Sequence, residues 1–248
     1  LPTAELEITW RAQAGGIKTG VLTIEFHDET PITTENFRDL AEQGLYDDTL
    51  FYRIRFQEKI EGGDFENGDG SGGHAAEYHG IGDESDPSTW RIPDEADSSP
   101  HHQLGSLAMR LPSGPNSAGS VFYIACPSSN LSSFDGVNTV FAQAVGGSIE
   151  GEDVGFEALL DELHRIPTGI GYAPFNPVVL EEVRISEGTG SSPGDEGDTP
   201  TIELVDPHFG PPLGNNLTMI VGSGFAIDPV APPSVRFGGV DSSNVTVI

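Results

Sequence analysis

The first candidate for chemistry in this sequence is an arginine on an apolar strand. Arg53 lies in the stretch Phe51–Phe65, FYRIRFQEKIEGGDF, which opens with the aromatic and β-branched residues typical of a strand. A guanidinium keeps its charge and carries five N–H donors, so it must find acceptors wherever it lies. The chemistry open to such a group is hydrogen-bond donation to an atom on which charge develops during a reaction.

The same stretch predicts how this arginine is presented. Strand alternation places Phe51, Arg53 and Arg55 on one face and the residues between them on the other. The Gly62–Asp64 segment, GGD, then predicts a turn whose backbone needs the freedom of glycine. A guanidinium held on a strand that ends in a tight turn is a fixed donor.

The motif F-Y-R-I followed by G-G-D-F resembles the signature of the cyclophilins. Four further segments match that family in the expected order: GVLTIEFHDETPITTENFRDLAEQG (Gly20–Gly44), DGSGG (Asp69–Gly73), LGSLAMRLPSGPNSAGSVFYIA (Leu104–Ala125) and NTVFAQAVGG (Asn138–Gly147). Cyclophilins are peptidyl-prolyl isomerases built on a closed eight-stranded β-barrel capped by two α-helices. The resemblance covers roughly residues 5 to 185, so it implies a mainly β domain of this kind over residues 1–185.

The resemblance implies that Arg53 is the catalytic residue. An X–Pro bond isomerises slowly because twisting it breaks amide resonance, a barrier of about 18–20 kcal/mol. Catalysis needs a hydrophobic socket for the proline ring and a fixed donor aimed at the twisted amide, whose nitrogen lone pair is then localised. No cofactor and no metal is required. The competing interpretation of Arg53 is a salt bridge on the barrel surface.

The resemblance also places seven residues in the substrate pocket of the family. They are Tyr123, Phe134, Asn138, Glu61, Glu58, Val121 and Arg110. Tyr123 keeps the aromatic ring of a family phenylalanine and adds a hydroxyl. Phe134 and Asn138 stand where the family usually has an aliphatic residue and a histidine. Val121 replaces a glutamine, and Arg110 replaces a small residue at the rim.

The two glutamates are the largest departures from the family. Glu58 stands at a phenylalanine position and Glu61 at a glutamine position. A carboxylate in an apolar socket is costly unless it is paired, and Arg53 and Arg55 are the partners at hand. Such a pair would either hold the catalytic guanidinium away from the substrate or orient it, and the sequence leaves both open.

The elements around this site follow from hydrophobic periodicity. Glu5–Trp10 and Val21–Phe26 alternate as the strands of a hairpin. Pro31 ends the second strand, and a helix capped by Thr33 is predicted to run to Gly44. A second helix is predicted over residues 154–164, with an apolar stripe at helical spacing.

An acidic insertion separates the central stretch from the next strand. His74–Gln103 holds four histidines among several carboxylates, but no pair has a recognised metal-site spacing. Glu66–Gly73 likewise fails the calcium-loop pattern. The insertion is therefore interpreted as solvated surface, and no metal is expected.

The charge balance bounds the partners. The chain of 248 residues carries 39 acidic and 11 basic residues, for a net charge of −28. Such a field repels phosphate backbones, so nucleic acid is excluded as a partner. No apolar run approaches the ~18 residues of a membrane span. The charge suits an extracellular or cell-envelope protein, or alternatively the cytoplasm of a salt-adapted organism.

The C-terminal part is predicted to be a separate module. Ser186–Thr199 contains no hydrophobic residue and is expected to be a flexible acidic Gly/Ser linker. Residues 200–248 resemble an immunoglobulin-like β-sandwich of the IPT/TIG type through Pro200, Pro207, Gly222–Phe225 and Val235–Gly239. Such sandwiches need about 100 residues, so this one is incomplete. Either the chain was cut here, or the exposed edge takes a strand from a neighbour and supports self-association.

Three functions remain open at this point. The leading one is a prolyl isomerase that acts on proline-containing polypeptide clients. The second is a non-catalytic structural or assembly protein with the same fold, favoured by the altered pocket and the incomplete sandwich. The third is an adaptor that binds proline peptides without turning them over.

Overall fold

The computed structural model describes residues 2–127 and 131–186, and the backbone of four short strands between residues 201 and 241. The chain falls into two compact units, Leu1–Thr189 and Gly190–Ile248. Apart from Ser186, the predicted linker Ser186–Thr199 lies outside the described residues. Within the described residues, no helix is long and apolar enough to cross a bilayer.

The described part of the first unit consists of ten strands and two α-helices. In chain order they are β1 (Thr3–Arg11), β2 (Ile17–Phe26), α1 (Pro31–Glu42), β3 (Thr49–Leu50), β4 (Arg53–Arg55), β5 (Lys59–Gly62), β6 (Ser106–Met109), β7 (Phe122–Ala125), β8 (Val140–Ile149), β9 (Glu152–Asp153), α2 (Phe156–Leu163) and β10 (Val179–Ser186). Short 3₁₀ turns lie at Pro87–Thr89, Leu131–Phe134 and Ile170–Tyr172.

The strands form one antiparallel sheet whose order returns to its starting segment. The order is β3-β10-β1-β2-β8-β6-β7-β5-β4, with β9 paired to β8 beside this path. Because β3 and β4 are two halves of the segment 49–55, counting that segment once gives a ring of eight strands. The mainly β barrel with two helices that the sequence predicts is confirmed.

The core is filled by the inward residues of these strands and by α1. In β1 the alternate residues Ala4, Leu6, Ile8 and Trp10 are at most 1% exposed. The ring of Phe37 on α1 lies edge-on to that of Phe122 on β7, with centroids 5.4 Å apart. The helix thus closes the barrel by adding aromatic surface to its interior.

The start of α1 differs from the sequence prediction. Thr30 is the N-cap and Pro31 the first helical residue, so Thr33 already lies inside the helix. The free N–H groups of Ile32 and Thr33 donate instead to the carboxylate of Glu95, at 3.2 and 2.8 Å. A carboxylate from the acidic insertion therefore takes the capping role that the sequence assigns to Thr33.

The alternation predicted around Arg53 holds only inside β4. Between β3 and β4 both Phe51 and Tyr52 are buried, and the N–H of Phe51 bonds to the carbonyl of Val178 at 2.9 Å. Phe56, past the end of β4, is 57% exposed. In a continuous strand two consecutive side chains point to opposite faces of the sheet. The break between β3 and β4 allows both Phe51 and Tyr52 to be buried.

The turn after β5 confirms the need for glycine at one position. Gly63 has φ +84°, and a Cβ built there would lie 2.7 Å from the carbonyl oxygen of Ser120. Gly62 remains in β5 with its Cα against the ring of Phe51. Both glycines are therefore required, for different reasons.

The acidic insertion is not only solvated surface, which corrects the interpretation from sequence. Ala75, Ile92 and His102 are buried, and Ile92 pairs with Ala118 in an isolated bridge. Most of the charged residues between them stay exposed. The insertion thus contributes both to the core and, through His102, to the site considered below.

In the second unit the described backbone forms two antiparallel pairs. β11 (Thr201–Asp206) pairs with β12 (Met219–Ser223), and β13 (Arg236–Phe237) pairs with β14 (Val240–Asp241). The other residues of the predicted module 200–248 lie outside the described residues.

Candidate active site

A buried carboxylate organises the residues around Arg53. Antiparallel pairing sets Arg53 on β4 opposite Glu61 on β5, and Glu61 opposite Tyr123 on β7. Arg53 Nη1 lies 3.0 Å from Glu61 Oε2, and Lys59 Nζ lies 2.8 Å from Glu61 Oε1. The hydroxyl of Tyr52 also donates to Oε2, at 3.3 Å. Three donors thus converge on one carboxylate that is 1% exposed.

The charges around Glu61 keep it ionised. Burial favours the neutral acid, but the hydrogen bond and charge of Lys59 and the charges of Arg53 and Arg110 outweigh it, so the pKa of Glu61 is lowered. Burial, with the neighbouring Glu61 charge, raises the pKa of Tyr52. Glu61 is therefore an acceptor and Tyr52 a donor at neutral pH.

Arg53 is the part of this cluster that reaches the surface. Its side chain is 35% exposed, against 14% for Lys59 and 1% for Glu61. Its guanidinium also lies 5.8 Å from the centre of the Tyr52 ring. Glu61 engages Nη1 of a guanidinium that carries five N–H donors in all. Pairing with Glu61 leaves Arg53 accessible.

Tyr123 and Phe134, two residues predicted to line the socket, pack together and form what is called the aromatic wall below. A lysine that was not predicted lies over both rings. The rings of Tyr123 and Phe134 have centroids 6.0 Å apart. Lys59 Nζ lies 4.8 Å from the centre of the Tyr123 ring and 5.3 Å from that of Phe134. An ammonium that contacts two ring faces and a carboxylate is held by cation–π attraction and an ion pair together.

His102 and Asp135 form a hydrogen-bonded chain with the hydroxyl of Tyr123. The Tyr123 hydroxyl lies 2.8 Å from His102 Nε2, and His102 Nδ1 lies 2.8 Å from Asp135 Oδ1. The Asp135 carboxylate also accepts from the backbone N–H of His102 at 2.7 Å and contacts His101 Nδ1 at 2.8 Å. Because the carboxylate accepts the Nδ1 proton, Nε2 accepts the proton of the tyrosine.

Burial and hydrogen bonding set the protonation states of His102, Asp135 and Tyr123. Burial lowers the pKa of His102, despite the opposing charge of Asp135. For Asp135 burial acts the other way, but the hydrogen bonds from His102 and His101 outweigh it and lower its pKa to about 2. Burial raises the pKa of Tyr123. The unit is thus a carboxylate, a neutral imidazole and a neutral phenol.

The other predicted pocket residues do not join this cluster directly. Glu58 pairs with Arg55, at 2.6 Å, and not with Arg53. Asn138 is buried and donates to the carbonyl of Met109 at 2.8 Å. Val121 is buried, and its carbonyl accepts the backbone N–H of Arg110.

Arg110 lies at the edge of the cluster. Its guanidinium donates to the carbonyl of Gly70, and its charge helps to lower the pKa of Glu61 and opposes the rise in the pKa of Tyr52. Within the described ranges no carboxylate lies at ion-pair distance from it. Arg110 therefore adds positive charge to the site without a counter-charge of its own.

A groove of about 510 Å³ adjoins Arg53. It is lined by the segment 50–53, by Gly68 and Asp69, and by most residues of the segment 170–178. Ile170 and Phe175 on the rim are 102% and 70% exposed. The groove offers an extended chain an apolar path to the guanidinium.

Sequence reasoning missed Lys59, His102 and Asp135. For Lys59 a signal existed, because residues two apart on a strand share a face and Lys59 stands two before Glu61. No sequence signal joins His102 to Asp135, which are 33 residues apart and meet through the course of two loops. Among the described residues, no three His, Cys, Asp or Glu side chains form a group able to hold a metal ion.

Comparison with known proteins gives a consistent result. Residues 13–185 match the family described as cyclophilin type peptidyl-prolyl cis-trans isomerase/CLD. The chain is 32% identical to peptidyl-prolyl cis-trans isomerase CYP18-1 of Arabidopsis thaliana over 180 residues, 73% of this chain and 96% of that protein. It is 33% identical to peptidyl-prolyl cis-trans isomerase H of Rhizopus delemar over 178 residues, 68% of this chain and 87% of that protein.

A solved structure agrees with the fold. The cyclophilin type peptidyl-prolyl cis-trans isomerase of Cryptosporidium parvum, crystallised in the presence of the dipeptide Ala-Pro, matches with a TM-score of 0.56 and 21% identity. The match covers 75% of this chain and 99% of that one.

Proposed function

Since the chain belongs to the cyclophilin-type peptidyl-prolyl cis-trans isomerase family, we propose that it interconverts the cis and trans forms of X–Pro bonds in polypeptide clients. The observation that supports this most strongly is the presentation of Arg53. Its guanidinium is part exposed and paired with Glu61, which in turn lies opposite Tyr123 on the neighbouring strand. This is the fixed donor beside a socket that the reaction requires.

In the proposed mechanism no covalent bond forms or breaks. The client proline enters beside the aromatic wall, and a free N–H of Arg53 donates to the proline nitrogen as the amide twists. The lone pair of that nitrogen is localised only in the twisted state, so the hydrogen bond stabilises the transition state more than either isomer. Glu61 keeps the guanidinium in place, which lowers the entropy lost when the bond forms.

The decisive test is Arg53→Ala, assayed by NMR exchange between the cis and trans signals of an X–Pro peptide. Loss of one preorganised donor should lower kcat by about 100-fold or more. Arg55→Ala is the matched control, because Arg55 lies on the same strand but pairs with Glu58 and stacks on Tyr172. It should keep most of the activity. Equal losses in the two variants would assign the effect to the strand and not to Arg53.

The comparisons favour this function over the two non-catalytic alternatives. Wild-type protein that binds a proline peptide without accelerating its exchange would reinstate the adaptor.

For the C-terminal part we propose a partial IPT/TIG-type immunoglobulin-like module over residues 200–248, which positions the barrel or associates with a second copy through its edge. The sequence motifs and the antiparallel pairing of β11 with β12 support this proposal. Sedimentation of the 248-residue chain against residues 1–185 tests it: dimers of the longer chain only are expected. Monomers of both would remove self-association.

We propose an extracellular or cell-envelope location, with the cytoplasm of a salt-adapted organism as the alternative. The net charge of −28 supports both. Cell fractionation with an antibody to the protein distinguishes them.

A further inference from the structure

The site has an excess of positive charge within a strongly acidic protein. Lys59, Arg53 and Arg110 all act on Glu61, so three cations face one carboxylate. The whole chain has 39 acidic and only 11 basic residues. Concentration of cations at this point, against that average, indicates that an anion is accommodated here.

The neighbouring carboxylates do not supply the missing negative charge. Glu58 is engaged by Arg55 at 2.6 Å. Asp135, on the far side of the aromatic wall, is engaged by His101 and His102. Among the described residues, Glu61 is therefore the only carboxylate at ion-pair distance from Arg53 or Lys59, and none lies at that distance from Arg110.

Lys59 is placed to respond to the client. Its ammonium covers the Tyr123 ring, which is 1% exposed, so a proline ring can reach that face only if the ammonium moves. A displaced ammonium loses this cation–π contact, and a further acceptor beside Glu61 compensates for the loss. A carboxylate on the client next to the proline is such an acceptor, through a charge-assisted hydrogen bond.

We propose that this site selects X–Pro segments that carry a carboxylate side chain adjacent to the proline, and that Lys59 is the residue that recognises it. The proposal rests on the isomerase function above and adds the substrate class. Lys59 has two roles. Its ammonium moves off the aromatic ring when the proline enters, and it then binds the neighbouring carboxylate. Arg110 reinforces the same preference from the rim.

The test uses three peptides of one length, with Glu before the proline, Glu after it, or Gln at both positions. Exchange is measured by NMR at about 0.15 M salt, where the Debye length of about 8 Å screens the distant acidic surface. Wild type should show kcat/KM about tenfold higher for one Glu peptide than for the Gln peptide. Lys59→Met should bring the ratio near one and raise kcat/KM for the Gln peptide a few-fold, because the ring face is then open.

Two control variants separate recognition of the client carboxylate by Lys59 from the general loss of a positive charge. Lys18→Met removes the same charge on β2, where Lys18 pairs with Glu162, and should leave the tenfold preference unchanged. Lys59→Arg keeps the charge and should retain the preference. Thermal unfolding of each variant establishes that it is folded.

The outcomes distinguish this proposal from the proposed function. A wild-type ratio near or below one in both placements, or a preference that survives Lys59→Met, overturns the selection of carboxylates. If no peptide exchanges faster, the isomerase proposal fails, and the affinities from the same titrations decide. If the wild type then binds a Glu peptide with a lower Kd than the Gln peptide, and Lys59→Met abolishes this difference, the recognition of a carboxylate by Lys59 is still supported. Equal Kd values for the Glu and Gln peptides overturn that recognition as well.

Discussion

Two buried carboxylates three residues apart, Glu61 and Asp64, are held in opposite ways. Both are at most 2% exposed, and the pKa of each is lowered although burial alone would raise it. The partners of Glu61 are the side chains of Tyr52, Arg53 and Lys59. Asp64 instead accepts five backbone N–H groups at 2.8–3.2 Å, those of Glu66, Asn67, Asp69, Gly70 and Gly72.

The difference separates a carboxylate that fixes a loop from one whose partners are side chains that can move. Backbone N–H groups cannot leave Asp64 unless the loop unfolds, so Asp64 fixes the course of residues 66–72. That loop packs Gly70 so closely on Tyr52 that an added Cβ would lie 2.4 Å from the ring. Side-chain cations can turn to solvent or to a client, so Glu61 organises groups that are free to change partners.

Asp64→Asn should destabilise the protein more than the other two carboxylate variants. The amide keeps one acceptor oxygen but turns an NH₂ group toward N–H donors, so the unfolding free energy should fall by about 3–4 kcal/mol. Urea unfolding measures this. Because the folded pKa of Asp64 lies below its ordinary 3.8, its contribution is present above that pH and is lost as pH falls through the folded pKa. Wild type and variant should therefore converge below pH 3.8, and a cost under about 1 kcal/mol at pH 7 would contradict the structural role.

Glu61→Ala should have a smaller effect on stability and a larger one on activity. Lys59 and Arg53 can reach solvent, so the unfolding free energy should fall by only about 1–2 kcal/mol. Arg53 loses the acceptor that orients it, so kcat/KM should fall about tenfold, and Glu61→Gln, which keeps an acceptor, should recover most of it. Urea unfolding and NMR exchange measure the two effects. A rise in kcat/KM for Glu61→Ala would instead show that Glu61 holds Arg53 away from the client.

The fold could be predicted from sequence to the extent that local patterns determine it. The alternation in β1 and β2, the apolar stripe of α2 and the glycine turn at Gly63 each follow from residue types alone. The break between β3 and β4 could not be predicted, since it arises where Phe51 bonds to Val178 across the sheet. Tertiary contact overrides alternation there.

The site was predictable to a similar extent. Arg53, Glu61 and Tyr123 form one row because β4, β5 and β7 are neighbours, and the motif order fixes that arrangement. The ammonium of Lys59 over the aromatic wall was not predicted, because a lysine side chain is long enough to reach several acceptors and the strand pattern gives only its face. The position of His102 depends on loops without periodicity.

Asp135 is intermediate between Glu61 and Asp64 in the kind of partners it has, and Asp135→Asn measures what those partners contribute. Its carboxylate accepts one backbone N–H and contacts two imidazoles, so we expect a loss of about 1 kcal/mol, nearer to Glu61 than to Asp64. Its pKa is about 2 in the fold against an ordinary 3.8, so the contribution is present above pH 3.8 and is lost between pH 3.8 and 2. The unfolding free energies of wild type and variant, measured with urea, should converge across this window.

His102 affects stability at higher pH and in the same direction. Its pKa in the fold is below 6.5, so the unfolded chain takes up the proton first and the wild type loses stability as pH falls below 6.5. A wild-type profile that is flat from pH 6.5 to 4 would mean that the folded and unfolded chains take up the His102 proton over the same pH range, so that the fold does not lower the pKa of His102.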